Sequence, residues 1–348
     1  MVLQSFNASS RRPRILSGVQ PSGRLHLGNY YGALNQFIQL QSEGEALYFI
    51  ANLHALSTVH DAQSLREHTL QAALAYLSLG LEPRTAILFR QSDVSQTTEL
   101  FWILGSLVPI SHLERAHSYK DKVARGVAAS FGLFTYPVLM AADILAFGAD
   151  LVPVGKDQIQ HVEFARDWAT RFNMTFVKHY DPQDPQASKP EHTPGILKLP
   201  SPRVAQYAAV VPGTDGRKMS KSARNTIELF ATDAEVRRQI MGIRTDSTAS
   251  DLPKPIDSAL YRLLALMAPP DEFAQLDSSW RAGGKGYAEY KKALLEYFHA
   301  TFDGARRRHE ELRGDLGEVE RILTDGARRA GDIAVPIMEQ VRRATGIR

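Results

Sequence analysis

Three short apolar runs, each followed by a segment with helical spacing, constrain the fold of this chain more than any other feature. Arg14–Val19 (RILSGV) reads as a buried strand that ends in the turn QPSGRL. Gly28–Leu40 follows, with Tyr31, Leu34, Phe37 and Ile38 on one helical face. Ala46–Asn52 (ALYFIAN) is the second run, and the amphipathic SLREHTLQAALAYLSLG after it is stopped by Gly80 and Pro83. TAILFRQ is the third. Strands alternating with helices at this spacing predict an α/β fold, a Rossmann-like doubly wound parallel sheet covered on both faces.

From Ser95 to Phe147 the pattern is mostly helical, which predicts a helical insertion over about residues 95–149 before the sheet resumes. ADLVPVG then reads as a strand and Lys156–Phe172 as its helix. Asp181–Pro194 (DPQDPQASKPEHTP) has the composition of an exposed loop. RVAQYAAVV returns as a strand and runs into PGTDGRKMSKSARN. Beyond Thr232 the segments are helical. The expected organisation is a disordered lead over 1–12, a sheet domain over 13–230 and an all-helical domain over 231–348.

A length of 348 residues suffices for two cores. The absence of cysteine excludes disulfides, thiolate zinc sites and cysteine-bound iron–sulfur clusters, and suits a cytoplasmic protein. No apolar run approaches the roughly 20 residues of a membrane span, and MVLQSFNASSRRPR has no apolar core of signal-peptide length. A net charge of +3 and a pI near 9.0 permit a polyanionic partner without requiring one.

Two stretches carry chemistry. RLHLGNYYG (Arg24–Gly32) places His26, Gly28 and Asn29 where a strand gives way to a helix. Gly28 lets a ligand approach the backbone, Asn29 can cap the helix, and Gln20, His26 and Asn29 add side-chain donors. In a doubly wound sheet this turn lies at the carboxyl ends of the strands, and a helix opening there points N–H groups at an anion. An ordinary capped turn fits the same residues. Lys218–Ser222 (KMSKS) sets two lysines among small hydroxyl residues. As a mobile cationic loop it can follow negative charge developing on a polyphosphate; a solvated basic loop fits it too.

The two stretches in this order, on either side of a parallel sheet and ahead of a helical domain, resemble the class I aminoacyl-tRNA synthetases with their HIGH-type turn and KMSKS loop. Asn29 stands for the second histidine of HIGH, a replacement familiar in the tryptophan branch. It keeps a hydrogen-bond donor and loses a titratable group. Thr135–Asn173 (TYPVLMAADILAFGADLVPVGKDQIQHVEFARDWATRFN) resembles the amino-acid pocket and sheet return of tryptophanyl-tRNA synthetases, and SGVQPSG, LHALS, GKGY and GARRAGDIAVPIMEQVRRATGI agree.

Asp143 sits in the apolar VLMAADILAF, where a carboxylate is costly to bury unless something donates to it. Pairing within the helical insertion would meet that need. The resemblance implies instead that Asp143 accepts the indole N–H of tryptophan and rejects phenylalanine, which would leave it unpaired. It also implies apolar walls from Met140, Val152 and Val154. Leu16, where phenylalanine is often found, and His54 would lie beside the indole. Tyr136 and Gln158 would hold the α-ammonium group. For ATP it implies Gln20, Gly28, Asn29 and the Gly155-Lys156-Asp157 turn, with Asp157 or its neighbours near the ribose and Val211 against the adenine. The loop Lys218, Met219, Ser220, Lys221 and Ser222 would meet the phosphates. Lys218, Lys221 and Lys120 (in AHSYKDK) are the implied catalytic groups.

Three departures from the family pattern stand out. Asn52 precedes LHA where an acidic residue is common, Ala223-Arg224 follows KMSKS where an acidic residue and proline often do, and the loop Asp181–Pro194 has no clear counterpart. The expected function is that of a tryptophan–tRNA ligase using ATP and Mg²⁺, with tRNA(Trp) as second substrate. The helical domain would read the anticodon, although Arg306–Arg308, Arg328, Arg329, Arg342 and Arg343 also read as solvated helix faces. A homodimer is expected, with no resident metal ion and neither membrane nor DNA as partner. Two rival readings remain. A tyrosyl-tRNA synthetase is opposed by Asp143 within LMAAD, and a non-catalytic paralogue by intact His26, Gly28, Asn29, Lys218 and Lys221.

Overall fold

The computed structural model describes residues 12–21, 23–115, 130–155, 158–204 and 210–348. Five strands, β1 (Arg14–Val19), β2 (Glu45–Ile50), β3 (Ile87–Arg90), β4 (Leu151–Val154) and β5 (Ser201–Val204), form one sheet. All pairings are parallel and the spatial order is β3-β2-β1-β4-β5. The chain therefore winds outward from β1 to β3, then crosses back to add β4 on the other side of β1. The Rossmann-like reading holds. The expected strand RVAQYAAVV overlaps β5 only at Arg203 and Val204, and residues 205–209 of it lie outside the described residues. So does most of the expected lead, residues 1–11.

Alternation along β2 shows why both faces are covered. Leu47 and Phe49 enter one core with the helices Phe131–Leu145 and Ile159–Phe176, while Ala46, Tyr48 and Ile50 enter another with the helix Ala62–Ser78. The latter helix starts where Asp61 Oδ2 accepts from Ser64 N at 2.7 Å and ends before Gly80, as the sequence predicts. After β1 the chain forms Leu27–Asn29, a π-helical turn Tyr30–Leu34 and the helix Asn35–Leu40. The π turn shifts the helical register, which leaves Tyr31 and Ile38 half-buried while Leu34 and Phe37 are buried.

Between β3 and β4 lie the helices Gln96–Gly105, Ile110–Glu114 and Phe131–Leu145, in the place of the expected insertion. No strand follows Val204 among the described residues. The helices Asp233–Met241, Ala259–Met267, Pro270–Ala282 and Tyr287–Gly314 build a core around Trp280, Tyr290 and Phe298.

The last helix, Leu316–Thr345, packs on β3 and on Gln96–Gly105. Gly326 makes that docking possible, because a Cβ there would land on the Leu88 carbonyl oxygen. Arg329 Nη1 donates to Pro83 O at 2.7 Å and Ala86 O at 3.2 Å, and Arg342 Nε donates to Glu99 Oε1 at 2.7 Å. This packing places the last helix against the sheet. No helix among the described residues is long and apolar enough to cross a membrane.

Candidate active site

A cavity of about 390 Å³ opens at the carboxyl ends of β1 and β4, where the strand order reverses. Open parallel sheets place ligands at such a switch point. Leu16 and Gln20 line it from β1 and the turn after it, Val152, Val154, Gly155 and Gln158 from β4 and beyond, and Tyr136 and Met140 from the helix Phe131–Leu145. His54 lines it too. Eight of the residues expected around an amino acid and a nucleotide thus share one wall system with His54.

Asp143 lies behind His54 rather than on the cavity wall, and is 1% exposed. Its Oδ2 is 2.9 Å from His54 Nε2. Gln91 Nε2 donates to Asp143 Oδ1 at 2.9 Å and to Oδ2 at 2.8 Å. Burial pushes the Asp143 carboxyl up from its ordinary pKa, while the bonds from His54 and Gln91 oppose that rise. Gln91 was not among the residues that the sequence suggested. Neither was His161, whose Nε2 lies 2.8 Å from the Tyr136 hydroxyl and holds that ring from the neighbouring helix.

The fold brings the two signature stretches together. Leu27 N donates to Ile227 O at 3.0 Å and Leu229 N to Leu25 O at 3.0 Å, so the segment just after KMSKS is stitched to the first turn. Asn29 acts as a cap, its Oδ1 accepting from His26 N at 3.1 Å. A Cβ on Gly28 would meet His26 Nδ1 at 2.9 Å and Met219 Cβ at 3.4 Å, so only glycine fits between them. His26 is buried and its pKa falls to about 4, first through burial and then through the positive charge of Lys221. Burial also lowers the Lys221 ammonium, with Glu228 opposing.

Within the loop, Asn225 is the clasp. Its Nδ2 donates to Asp215 Oδ1 at 2.7 Å and Lys218 O at 3.2 Å, and its Oδ1 accepts from Ser220 N at 2.8 Å. Lys218 and Ser222 are exposed, whereas Met219 is buried. Val211 is packed in the core beside Met219, whose N donates to Val211 O at 2.9 Å, and does not line the cavity. Gly23, Arg24, His68, Lys221, Arg224 and Arg238 surround a second, cationic cleft of about 660 Å³. Lys120, Lys156 and Asp157 lie outside the described residues.

The family described as tRNA synthetases class I (W and Y) matches residues 8–301. A tryptophan–tRNA ligase of Rhodopirellula baltica is 47% identical over 336 residues, covering 96% of this chain and all of that protein. The chain belongs to the tryptophan–tRNA ligases of class I. A tryptophanyl-tRNA synthetase of Campylobacter jejuni, solved with ADP and tryptophan, is 43% identical, with a TM-score of 0.86 over 96% of this chain and 99% of that one. A tyrosyl-tRNA synthetase of Archaeoglobus fulgidus shares the fold at 21% identity and a TM-score of 0.59, over 85% of this chain and 90% of that one. As a tryptophan–tRNA ligase family member the chain is an aminoacyl-tRNA synthetase, and the tyrosyl and non-catalytic readings are set aside.

Where the chain departs from the tryptophan–tRNA ligase pattern, the structure supplies substitutes. Asn52 exchanges bonds with Ser92: Nδ2 donates to Ser92 Oγ at 2.8 Å and Oδ1 accepts from Ser92 N at 3.1 Å. Arg224 takes a left-handed conformation (φ 51°), uncommon for a residue with a Cβ. The loop Asp181–Pro194 is organised by Asp184, which accepts from Ser188 N at 2.9 Å, Lys189 N at 3.1 Å and His192 Nδ1 at 2.8 Å. Arg306, Arg308, Arg328, Arg342 and Arg343 each meet a carboxylate of the chain, as solvated or tethering helix faces do.

Proposed function

We propose that this chain joins L-tryptophan to tRNA(Trp) in two steps on one site. The tryptophan carboxylate attacks the α-phosphorus of ATP, giving tryptophanyl-adenylate and pyrophosphate. The terminal ribose hydroxyl of the tRNA then attacks the adenylate carbonyl and releases AMP. One observation carries the reading: a buried carboxylate, Asp143, is bonded to His54, which lines a largely apolar cavity at the switch point of the sheet.

Asp143 takes the indole N–H. Its Oδ1 receives one donor against two at Oδ2, which leaves acceptor capacity on Oδ1. Leu16, Met140, Val152 and Val154 face the indole ring, and Tyr136 and Gln158 hold the α-ammonium group. Gln20, Gly28, Asn29, Gly155, Lys156 and Asp157 hold ATP, with Val211 behind the adenine side. Lys218, Met219, Ser220, Lys221 and Ser222 close on the phosphates, and Lys120 reaches the pyrophosphate. The lysines act by electrostatic stabilisation of charge that grows on the phosphates, and no side chain becomes covalently bound.

Among the described residues no cluster of His, Asp and Glu could hold a metal ion. Mg²⁺ arrives on the phosphates, its usual mode in nucleotide enzymes. Bound there it neutralises phosphate charge. Trp102, Ile110 and Phe131 on the helical insertion are 74%, 65% and 72% exposed, which supports a homodimer through that face. The sheet domain over 13–230 does the chemistry, and the helices after 231 read the anticodon. The cytoplasm is its place. Pyrophosphate–ATP exchange with each amino acid in turn tests the reading: tryptophan alone should support exchange.

A further inference from the structure

Gln91 is the first residue after β3 and is 1% exposed. Its amide bridges two elements that approach from different parts of the chain. Nε2 donates to both oxygens of Asp143, at 2.9 and 2.8 Å, on the helix Phe131–Leu145. Oε1 accepts from Leu53 N at 3.1 Å and His54 N at 3.4 Å, at the start of the short helix Asn52–Ala55. An ionised carboxylate only accepts and a backbone N–H only donates, so one orientation of the amide satisfies all four contacts. With His54 Nε2 on Asp143 Oδ2 at 2.9 Å, the bonds close into a ring: Gln91, Asp143, the His54 imidazole and the His54 backbone.

The surroundings fix Gln91 in turn. Arg90 donates to Asp93 Oδ2 at 2.7 Å and to Glu320 at 2.9 and 2.6 Å on the last helix, and Ser92 is tied to Asn52. The end of β3 is thus held on both sides of Gln91.

We infer that Gln91 is the positioning residue of the amino-acid pocket, fixing Asp143 and His54 as one unit so that the site demands an N–H donor from its substrate. This rests on the reading that Asp143 accepts the indole N–H. With both oxygens held by the amide, the carboxylate cannot turn to relieve an unpaired lone pair when phenylalanine enters. Without the amide it can rotate, and it loses a donor that favours its charged form against burial. His54 is the one titratable group, among the described residues, whose charge bears on Asp143, and Tyr136 lies beyond it across a 6.4 Å ring contact.

The test is tryptophan-dependent exchange by the full-length Gln91→Met and Gln91→Glu variants, beside Asp143→Asn. Gln91→Met removes the amide at similar volume. Its tryptophan KM should rise roughly tenfold or more, as for a lost hydrogen bond to a charged group, with kcat within about twofold and the ATP KM unchanged. Selectivity for tryptophan over phenylalanine should fall, and the acid limb of kcat/KM should move to higher pH. Gln91→Glu keeps the acceptor for Leu53 and His54, so it decides the matter if the methionine variant does not fold. Its carboxyl donates to Asp143 only when protonated, so its tryptophan KM should rise with pH. Wild-type KM, selectivity and pH profile in the folded variants would overturn the inference. If Asp143→Asn is impaired while they are not, the Asp143 reading survives; if Asp143→Asn is also unimpaired, that reading fails with it.

Discussion

His54 Nε2 meets Asp143 Oδ2 at 2.9 Å, across the 89 residues that separate them in the chain. The histidine lines the cavity, and the carboxylate bonded to it is buried and does not. A polar pair in that position adds a hydrogen-bonding group to a cavity whose walls also carry Gln20, Tyr136 and Gln158.

Replacing Asp143 by alanine leaves the His54 and Gln91 donors facing each other without an acceptor. We expect the tryptophan KM to rise by a factor matching about 1.5–3 kcal/mol, the value of a hydrogen bond to a charged group. Discrimination against phenylalanine and tyrosine should erode with it. Steady-state exchange kinetics on a variant with a cooperative melt would read both effects, and an unaltered tryptophan KM would remove Asp143 from the pocket.

Lys221→Ala should lower the rate of adenylate formation far more than it weakens ATP. The ammonium is lowered by burial and sits beside the first turn, so it gains most when negative charge appears near it. Single-turnover measurement separates the two quantities. A weakened ATP affinity with an unaltered first-order rate would make the loop a ground-state clamp.

His26 links folding to pH. Its folded pKa of about 4 lies below the unfolded value of 6.5, so between those pH values the unfolded chain binds the extra proton. Stability should therefore be full above pH 6.5 and fall as the pH drops toward 4, by up to about 3 kcal/mol at 1.36 kcal/mol per unit. Urea melts of wild type and His26→Asn at pH 7 and 4.5 check this. The variant should lose less stability on acidification, and equal losses would mean that other groups set the slope.

Gly326→Ala tests how the last helix docks. In an exposed helix the change would add about 1 kcal/mol of stability. Here the new methyl would collide with the Leu88 carbonyl, so a loss of about 1–3 kcal/mol is expected. The sign of the change in Tm decides between the two.

Leu16 forms a buried wall of the cavity. Leu16→Phe should lower kcat/KM for 4- and 5-substituted tryptophans relative to tryptophan itself. An unchanged ratio would mean that Leu16 does not set the size of the pocket.

Much of this site is legible in the sequence because its signals are local. The β1 turn, KMSKS and the Asp143 helix each announce themselves within about a dozen residues, and the alternating runs place them on one sheet. The residues that escape notice act at long range. Gln91 is one polar residue after a strand, and its meaning lies in a contact 52 residues away. His161 holds Tyr136 across 25 residues, and Asn225 has a role only once KMSKS has curled back on it. The docking partner of the last helix is hidden for a related reason. Its periodicity reports that it is amphipathic, but only the absence of a side chain at Gly326, set against the Leu88 carbonyl, selects the sheet as its partner.

Exchange of labelled pyrophosphate into ATP, with each amino acid supplied separately alongside Mg²⁺, identifies the substrate. Tryptophan should support exchange, abolished or strongly reduced in Lys221→Ala. Exchange driven by tyrosine and not by tryptophan, or by no amino acid at all, would contradict it.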